Sequence, residues 1–157
     1  MLIGDFPTKG EYQQGLSFSA SSGNLMKGLL RGAGINADRV YKTHYYKVPI
    51  PGWFSPNKQI KEASLAAIKD KYNWSALITR EIEEIKPTII LLSGELALKE
   101  MTGETGIHKW RGSYLNLIPL FDPGQKINVV PIHSPTEIWQ LKEKPLVYTQ
   151  WDIIKAV

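Results

Sequence analysis

Short runs of consecutive apolar residues recur along the chain, each followed by a polar or glycine-rich stretch. Continuous apolar runs are typical of strands buried on both faces of a sheet, and β-branched and aromatic residues favour strands. These patterns predict strands at 1–4, "TIILLSG" (88–94), "GSYLNLIPLFD" (112–122) and "KINVVPIHS" (126–134). Over "RVYKTHYYKVPIP" (39–51) they predict a strand that leaves into a loop at its prolines.

Apolar residues at helical spacing fill much of the chain between these runs. They predict helices over "SSGNLMKGLLRGAG" (21–34), "SALITREIEEIKP" (75–87) and "ELALKEMTG" (95–103), with closing helices over "PTEIWQL" (135–141) and "TQWDIIKAV" (149–157). Alternating strands and helices are the pattern of an α/β fold, with a parallel sheet covered on both faces. Ligands of such folds bind at the carboxyl ends of the strands, where three loops are expected to meet: the opening loop (4–23), the exit of "KTHYYKVPIP" (42–51) and the exit of "VVPIHSP" (129–135).

The opening loop, "GDFPTKGEYQQGLSFSASSG", combines glycines, carboxylates and an aromatic residue. It lacks both the GxxxxGKS/T and GxGxxG patterns, which argues against a nucleotide-phosphate site. Asp5 and Glu11 could orient a water or act as a general base, or could serve as helix caps. Phe18 could be a stacking platform or a core residue.

The three histidines are scattered. His133 follows a predicted buried strand, where it could stabilise a developing anion or be purely structural. His44 lies inside an apolar and aromatic strand, and His108 stands apart from both. Since no HxxxH or HExxH spacing occurs, we expect no metal site, and since no GxSxG occurs, a serine nucleophile is not indicated.

Composition narrows the choice of function further. Of 157 residues, 43% are hydrophobic and none is cysteine, which excludes disulfides and thiolate-held zinc or iron–sulfur clusters. Neither a signal peptide nor a membrane-spanning run is predicted, so a cytoplasmic location is expected. A net charge of +4 allows contact with a polyanion without requiring it.

The order of these features resembles the uracil-DNA glycosylase superfamily, most closely its family 4 type. Glycines, Pro7, Glu11 and Phe18 of the opening loop fall at the spacings of the first motif, with Asp5 where that family has Glu. "VVPIHSP" resembles the second motif, "GIHKWRGSY" resembles an "I-x-x-x-RG" stretch, and "WDIIKAV" resembles the closing helix. The similarity extends over nearly the whole chain.

The resemblance implies a three-layer α/β/α sandwich with a central, mostly parallel four-stranded sheet in a single domain, 1–157. It implies that Phe18 stacks on a flipped base, that Asp5 and Glu11 support the attacking water, and that His133 steadies the departing base. His44 stands where the family has its base-binding Asn. Further candidates are Phe6 and Tyr12 for the base, and Lys47, Lys109, Arg111, Ser134 and Pro135 for DNA.

Several positions depart from the family pattern. Tyr12 replaces an Asp, and the loop reads "SFSA" where the family has "PFVG". The second motif, usually His-Pro-Ser, is His133-Ser134-Pro135. Val48 stands where a cluster cysteine is expected, so no iron–sulfur cluster and no other cofactor is predicted. The changes resemble those of a divergent, phage-borne relative.

These considerations predict a monofunctional DNA glycosylase-like hydrolase, acting in base excision repair on uracil or a related base. The alternative is a catalytically silent glycosylase fold that binds DNA or a replication, repair or defence partner. A second enzymatic alternative, suggested by His44, uses the same scaffold on a different base. We expect a monomer whose partner is DNA and, in addition, a replication protein, with no membrane partner.

Overall fold

A parallel sheet of four strands forms the centre of the molecule. The computed structural model describes residues 1–140 and 144–157. Its strands are β1 (Leu2–Gly4), β2 (Lys42–His44), β3 (Ile89–Ser93) and β4 (Asn128–Ile132), in the order β2-β1-β3-β4 with each neighbouring pair parallel. The expectation of a mostly parallel four-stranded sheet is therefore confirmed.

Helices connect the strands, because parallel neighbours need a crossover between them. In chain order they are α1 (Lys9–Gln14), α2 (Ser21–Gly32), α3 (Lys58–Lys69), α4 (Trp74–Ile85), α5 (Glu95–Thr102), α6 (Ile107–Trp110), α7 (Pro135–Gln140) and α8 (Lys144–Ala156). Among the helices described, none has the length and apolar character needed to cross a membrane.

Two apolar cores lie on opposite faces of the sheet, because side chains alternate along each strand. Ile3, Ile90 and Leu92 point to one face, where they pack with buried side chains of α4 and α5. Leu2, Leu91 and Val130 point to the other, where they join residues of α2, α7 and α8. The result is the three-layer α/β/α sandwich.

Three local predictions differ from the structure. The segment 112–122 is not a sheet strand: it makes only an isolated antiparallel bridge from Leu115 to Val129, then a 3-10 turn at Pro119–Phe121. Helices α1 and α3 have no predicted counterpart; α1 lies in the opening loop, and α3 buries none of its residues fully. The other predicted helices are present, although Leu141, the last residue predicted for α7, lies outside the described residues.

Candidate active site

A cavity of about 1090 Å³ opens at the carboxyl edge of the sheet. All four strands end there, and the loop after each of them contributes to the lining. The predicted site residues that line it are Asp5, Phe6, Glu11, Tyr12, Phe18, His44, Ser134 and Pro135. The structure therefore brings together eight of the predicted side chains, whereas His133, Lys47, Lys109 and Arg111 are not part of this lining.

The rings of Phe18 and His44 stack on one another inside this cavity. Their centroids are 4.7 Å apart and their planes differ by 10°. Both side chains are buried, with 3% and 5% exposure respectively. The imidazole thus covers the face of Phe18 on which a flat ligand would stack, and His44 Nδ1 lies 3.1 Å from Ser17 Oγ.

Backbone features hold this stack in place. Gly4, the last residue of β1, lies under both rings, and a Cβ there would come within 2.7 Å of His44 Cδ2 and 2.8 Å of Phe18 Cζ. Phe18 has a φ of 55°, a conformation that non-glycine residues seldom adopt and that often marks functional sites.

Burial lowers the pKa of His44 to about 3, aided by the positive charge of Lys47, so the imidazole is neutral at physiological pH.

Asp5 directly follows β1 at the edge of the cavity. Its Oδ1 accepts a hydrogen bond from the Ala97 N–H at 2.8 Å, which caps the start of α5. Gly94, at the N-cap position, has a φ of 119°, and a side chain there would collide with the Asp5 carboxyl. Burial raises the pKa of Asp5 to about 8 against the effect of that hydrogen bond, and the charges of Glu137 and Glu95 raise it further. The carboxyl is therefore mostly protonated at neutral pH.

Glu11 serves the start of α1. Its Oε2 accepts from the Thr8 N–H at 2.8 Å, and the Glu11 N–H donates to Thr8 Oγ1 at 3.2 Å, which forms a capping box. Oε1 accepts a long bond of 3.5 Å from Ser22 Oγ. The carboxylate borders the cavity, but these contacts already use both of its oxygens.

His133 lies just beyond β4 and does not line the cavity. The side chain is buried, with its ring 4.9 Å from that of His108 at a tilt of 54°. Its Nδ1 is 3.8 Å from Glu137 Oε2 and has no hydrogen-bond partner in the described part of the chain. The imidazole is therefore not among the groups that border the cavity with Phe18.

Comparison with known families places this geometry in context. Residues 1–156 match the family model described as the Uracil DNA glycosylase superfamily. The chain belongs to this superfamily. It is also 34% identical over 159 residues to a protein named "DNA polymerase" from Bacillus phage SP01. That match covers 100% of this chain but only 15% of the polymerase, so the chain spans a small part of its relative's length.

The three basic residues predicted to contact DNA are engaged elsewhere on this superfamily member. Lys47 Nζ lies 2.6 Å from Glu81 Oε1, on α4. Arg111 Nη1 donates to both carboxylate oxygens of Asp152, on α8, at 2.7 and 3.0 Å. Lys109 is exposed and its Nζ lies 4.5 Å from the centroid of the Trp110 ring. Their roles in DNA binding remain predictions.

Residues of the cavity that the sequence did not single out include two groups. The first group is Ser93, the last residue of β3, with Glu95 of α5 and Glu137 of α7; the strand-end rule that selected His133 would also have indicated Ser93. Both glutamates are partly used by backbone: Glu95 accepts from the Gly106 and Ile107 N–H groups, and Glu137 accepts from Ser134 N–H. The second group is the wall formed by the turn at 49–56.

The iron–sulfur cluster of family 4 members does not fit this chain. Such clusters are held by cysteine thiolates, and the sequence has none. Within residues 1–140 and 144–157, no group of three or more histidine, aspartate or glutamate side chains could hold a metal ion.

Proposed function

We propose that this domain is a DNA glycosylase-like enzyme that takes a flipped base, uracil or a related modified base, into the carboxyl-edge cavity. There it hydrolyses the bond between base and sugar. The observation that carries the proposal is the convergence of Phe18, His44 and Asp5 on one cavity of a uracil-DNA glycosylase superfamily fold. An extruded base needs a pocket with an aromatic wall, and Phe18 supplies such a wall.

The incoming base takes the place of the His44 ring. A flat heteroaromatic ring already lies parallel to Phe18, so the slot has the shape that a pyrimidine requires. The imidazole must rotate out of the stack, and this rotation also separates His44 Nδ1 from Ser17 Oγ. After this rotation the neutral imidazole of His44 faces the edge of the base, to which it offers one donor nitrogen and one acceptor nitrogen.

Asp5 provides the carboxylate for the attacking water. Once ionised, it removes a proton from water and stabilises the cation-like sugar that forms as the bond breaks. Its raised pKa makes it a stronger base than an ordinary aspartate, provided that the pH is high enough to ionise it. Glu11 supports the same loop through its capping box.

The decisive experiment measures base release. Single- and double-stranded oligonucleotides that carry uracil, hypoxanthine, xanthine or 5-hydroxymethyluracil are incubated with the protein, and abasic sites are then cleaved with alkali. We expect strand scission with at least one substrate, lost in Phe18→Ala and retained in Tyr72→Ala, an exposed aromatic residue outside the cavity. DNA binding without scission on any of these substrates contradicts the proposal.

A second candidate function is a DNA-binding domain without catalysis. Two observations favour it: His44 covers the stacking face of Phe18, and His133 does not line the cavity. The relative named as a DNA polymerase supports a place beside a replication protein. In the experiment above, this alternative is distinguished by tight binding to DNA with every base left in place.

A further inference from the structure

An aromatic cluster stands at the mouth of the base cavity and is not explained by base excision. We call Phe6, Trp53 and Phe54 the aromatic platform. The Phe6 ring lies 6.4 Å from the Trp53 ring at 81° and 5.8 Å from the Phe54 ring at 53°. Phe6 and Trp53 also pack against the core on one face of the sheet, whereas Phe54 is 60% exposed.

The turn that displays the platform is stiff. Residues 49–56 contain three prolines, and Ile50 anchors the turn because its side chain is almost completely buried. The Trp53 and Ser55 N–H groups donate to the Ile50 and Gly52 carbonyls, both at 3.1 Å. A stiff turn loses little freedom when a ligand binds, so the exposed ring is held ready for contact.

Positive charge accompanies the aromatic surface. Lys61 Nζ lies 5.8 Å from the centroid of the Trp53 ring, and the exposed Lys9 lies at the start of α1; both line the same cavity. Four carboxyls line the same cavity, and each of them accepts a backbone hydrogen bond: Asp5, Glu11, Glu95 and Glu137. Aromatic rings combined with lysines are the surface that stacks bases and attracts phosphates of a single strand.

We propose that the aromatic platform binds the unpaired nucleotides that flank the flipped base, so that the preferred ligand is single-stranded DNA. The bases of a duplex stack on their neighbours and are paired, whereas those of a single strand are free to lie on Phe54 and Trp53. Base–aromatic stacking tolerates any sequence, because every base has a flat π-face. This inference rests on the DNA binding in the proposed function and is independent of its chemical step.

The test is a binding measurement without chemistry. Fluorescence anisotropy is followed with labelled oligothymidylate of about 15 nucleotides, within the span that single-strand-binding folds cover, and with the corresponding dT·dA duplex. We expect the single strand to bind about tenfold more tightly than the duplex, since one stacked base contributes roughly that factor. Phe54→Ala should remove most of this difference.

Substitutions at Phe54 separate stacking from general apolar contact. Phe54→Tyr keeps the ring and should bind like the unaltered protein, whereas Phe54→Leu keeps apolar surface and should bind like Phe54→Ala. Tyr72→Ala is the matched control, because Tyr72 is 53% exposed and carries a lysine, Lys71, 5.6 Å from its ring centroid, yet lies outside the cavity. Tyr72→Ala should change neither the affinity for the single strand nor the affinity for the duplex.

The salt dependence of DNA binding tests whether the Lys61 ammonium group contacts a phosphate. Lys61→Ala should reduce the slope of log affinity against log salt by about one, as expected for one missing phosphate contact. Equal affinity for single strand and duplex, or single-strand binding unaffected by Phe54→Ala, overturns the platform whether or not base release is observed. Conversely, platform-dependent binding without strand scission upholds this inference and rejects only the chemical step of the proposed function.

Discussion

The two outer strands of the sheet, β2 and β4, place their histidines in different surroundings. His44 ends β2 and His133 follows β4, so both lie at the carboxyl edge. His44 lines the cavity and stacks on Phe18, whereas His133 packs against His108 outside the lining. A position at the end of a strand therefore places a residue at the carboxyl edge of the sheet, but it does not determine whether the side chain lines the cavity.

The difference follows from the neighbours of each ring. Beside His44, Gly4 has no side chain, and the space above it admits two stacked rings. Beside His133, Glu137 of α7 lies toward the cavity, with its carboxylate 3.8 Å from the imidazole. Burial raises the pKa of Glu137, but the adjacent imidazole and the hydrogen bonds with Ser134 outweigh it and lower the pKa overall. We therefore expect the β1–β2 side to carry the chemistry, and the predictions below test that division.

The largest effect is expected at Asp5. Asp5→Asn keeps an oxygen to accept from the Ala97 N–H but cannot take a proton from water, so base release should fall by about 100-fold or more. Initial rates on the best substrate, with oligonucleotide affinity and thermal unfolding as controls, measure this. A rate within a few-fold of the original would remove Asp5 from the chemistry.

His44→Asn should increase uracil release by about tenfold or more, because the smaller amide uncovers Phe18 and offers a donor and an acceptor to the base edge. The same assay on uracil-containing single strands measures it. His108→Asn is the matched control, since His108 is exposed and outside the cavity lining. Unchanged or lower release in His44→Asn would mean that the imidazole is itself needed for the reaction.

The rate of base release should depend on pH through Asp5. Its pKa is raised to about 8 and the carboxylate is the active form, so the rate should rise about tenfold per pH unit below 8 and level off above it. His44, with its pKa lowered to about 3, stays neutral over this range. Rates between pH 6 and about 9 test this, and a profile of the same shape in His133→Ala would exclude His133 as its origin.

The smallest effect on activity is expected at His133. His133→Ala should lower base release by less than about tenfold, below the roughly 100-fold loss that removal of a positioned acid or base causes. Its cost should appear in stability, because the substitution empties a buried site and lowers the free energy of unfolding by about 1–3 kcal/mol. Chemical denaturation measures this second quantity. A loss of activity equal to that of Asp5→Asn would show that His133 turns toward the base when DNA binds.

The strands and helices that could be predicted from the sequence are those with continuous apolar runs or with apolar residues at helical spacing. β1, β3 and β4 are such runs, and α2 and α4 carry apolar residues at helical spacing. Sequence reasoning missed α3 because that helix is polar on average and buries no residue fully, although its few apolar residues recur at helical spacing. It took 112–122 for a strand because Leu117, Ile118 and Phe121 are apolar, yet they pack against a core face without joining the sheet.

By itself, then, the sequence determined the α/β class, the absence of thiolate chemistry, the family resemblance and the residues gathered at the carboxyl edge. Only the tertiary structure decided that Phe18 and His44 stack on each other, that Asp5 caps α5 with a raised pKa, and that His133 does not line the cavity. These outcomes depend on which side chains from distant segments fill the same space. Gly4 and Gly94 leave room for the stack and for the Asp5 carboxyl, and these close contacts exist only in the folded chain.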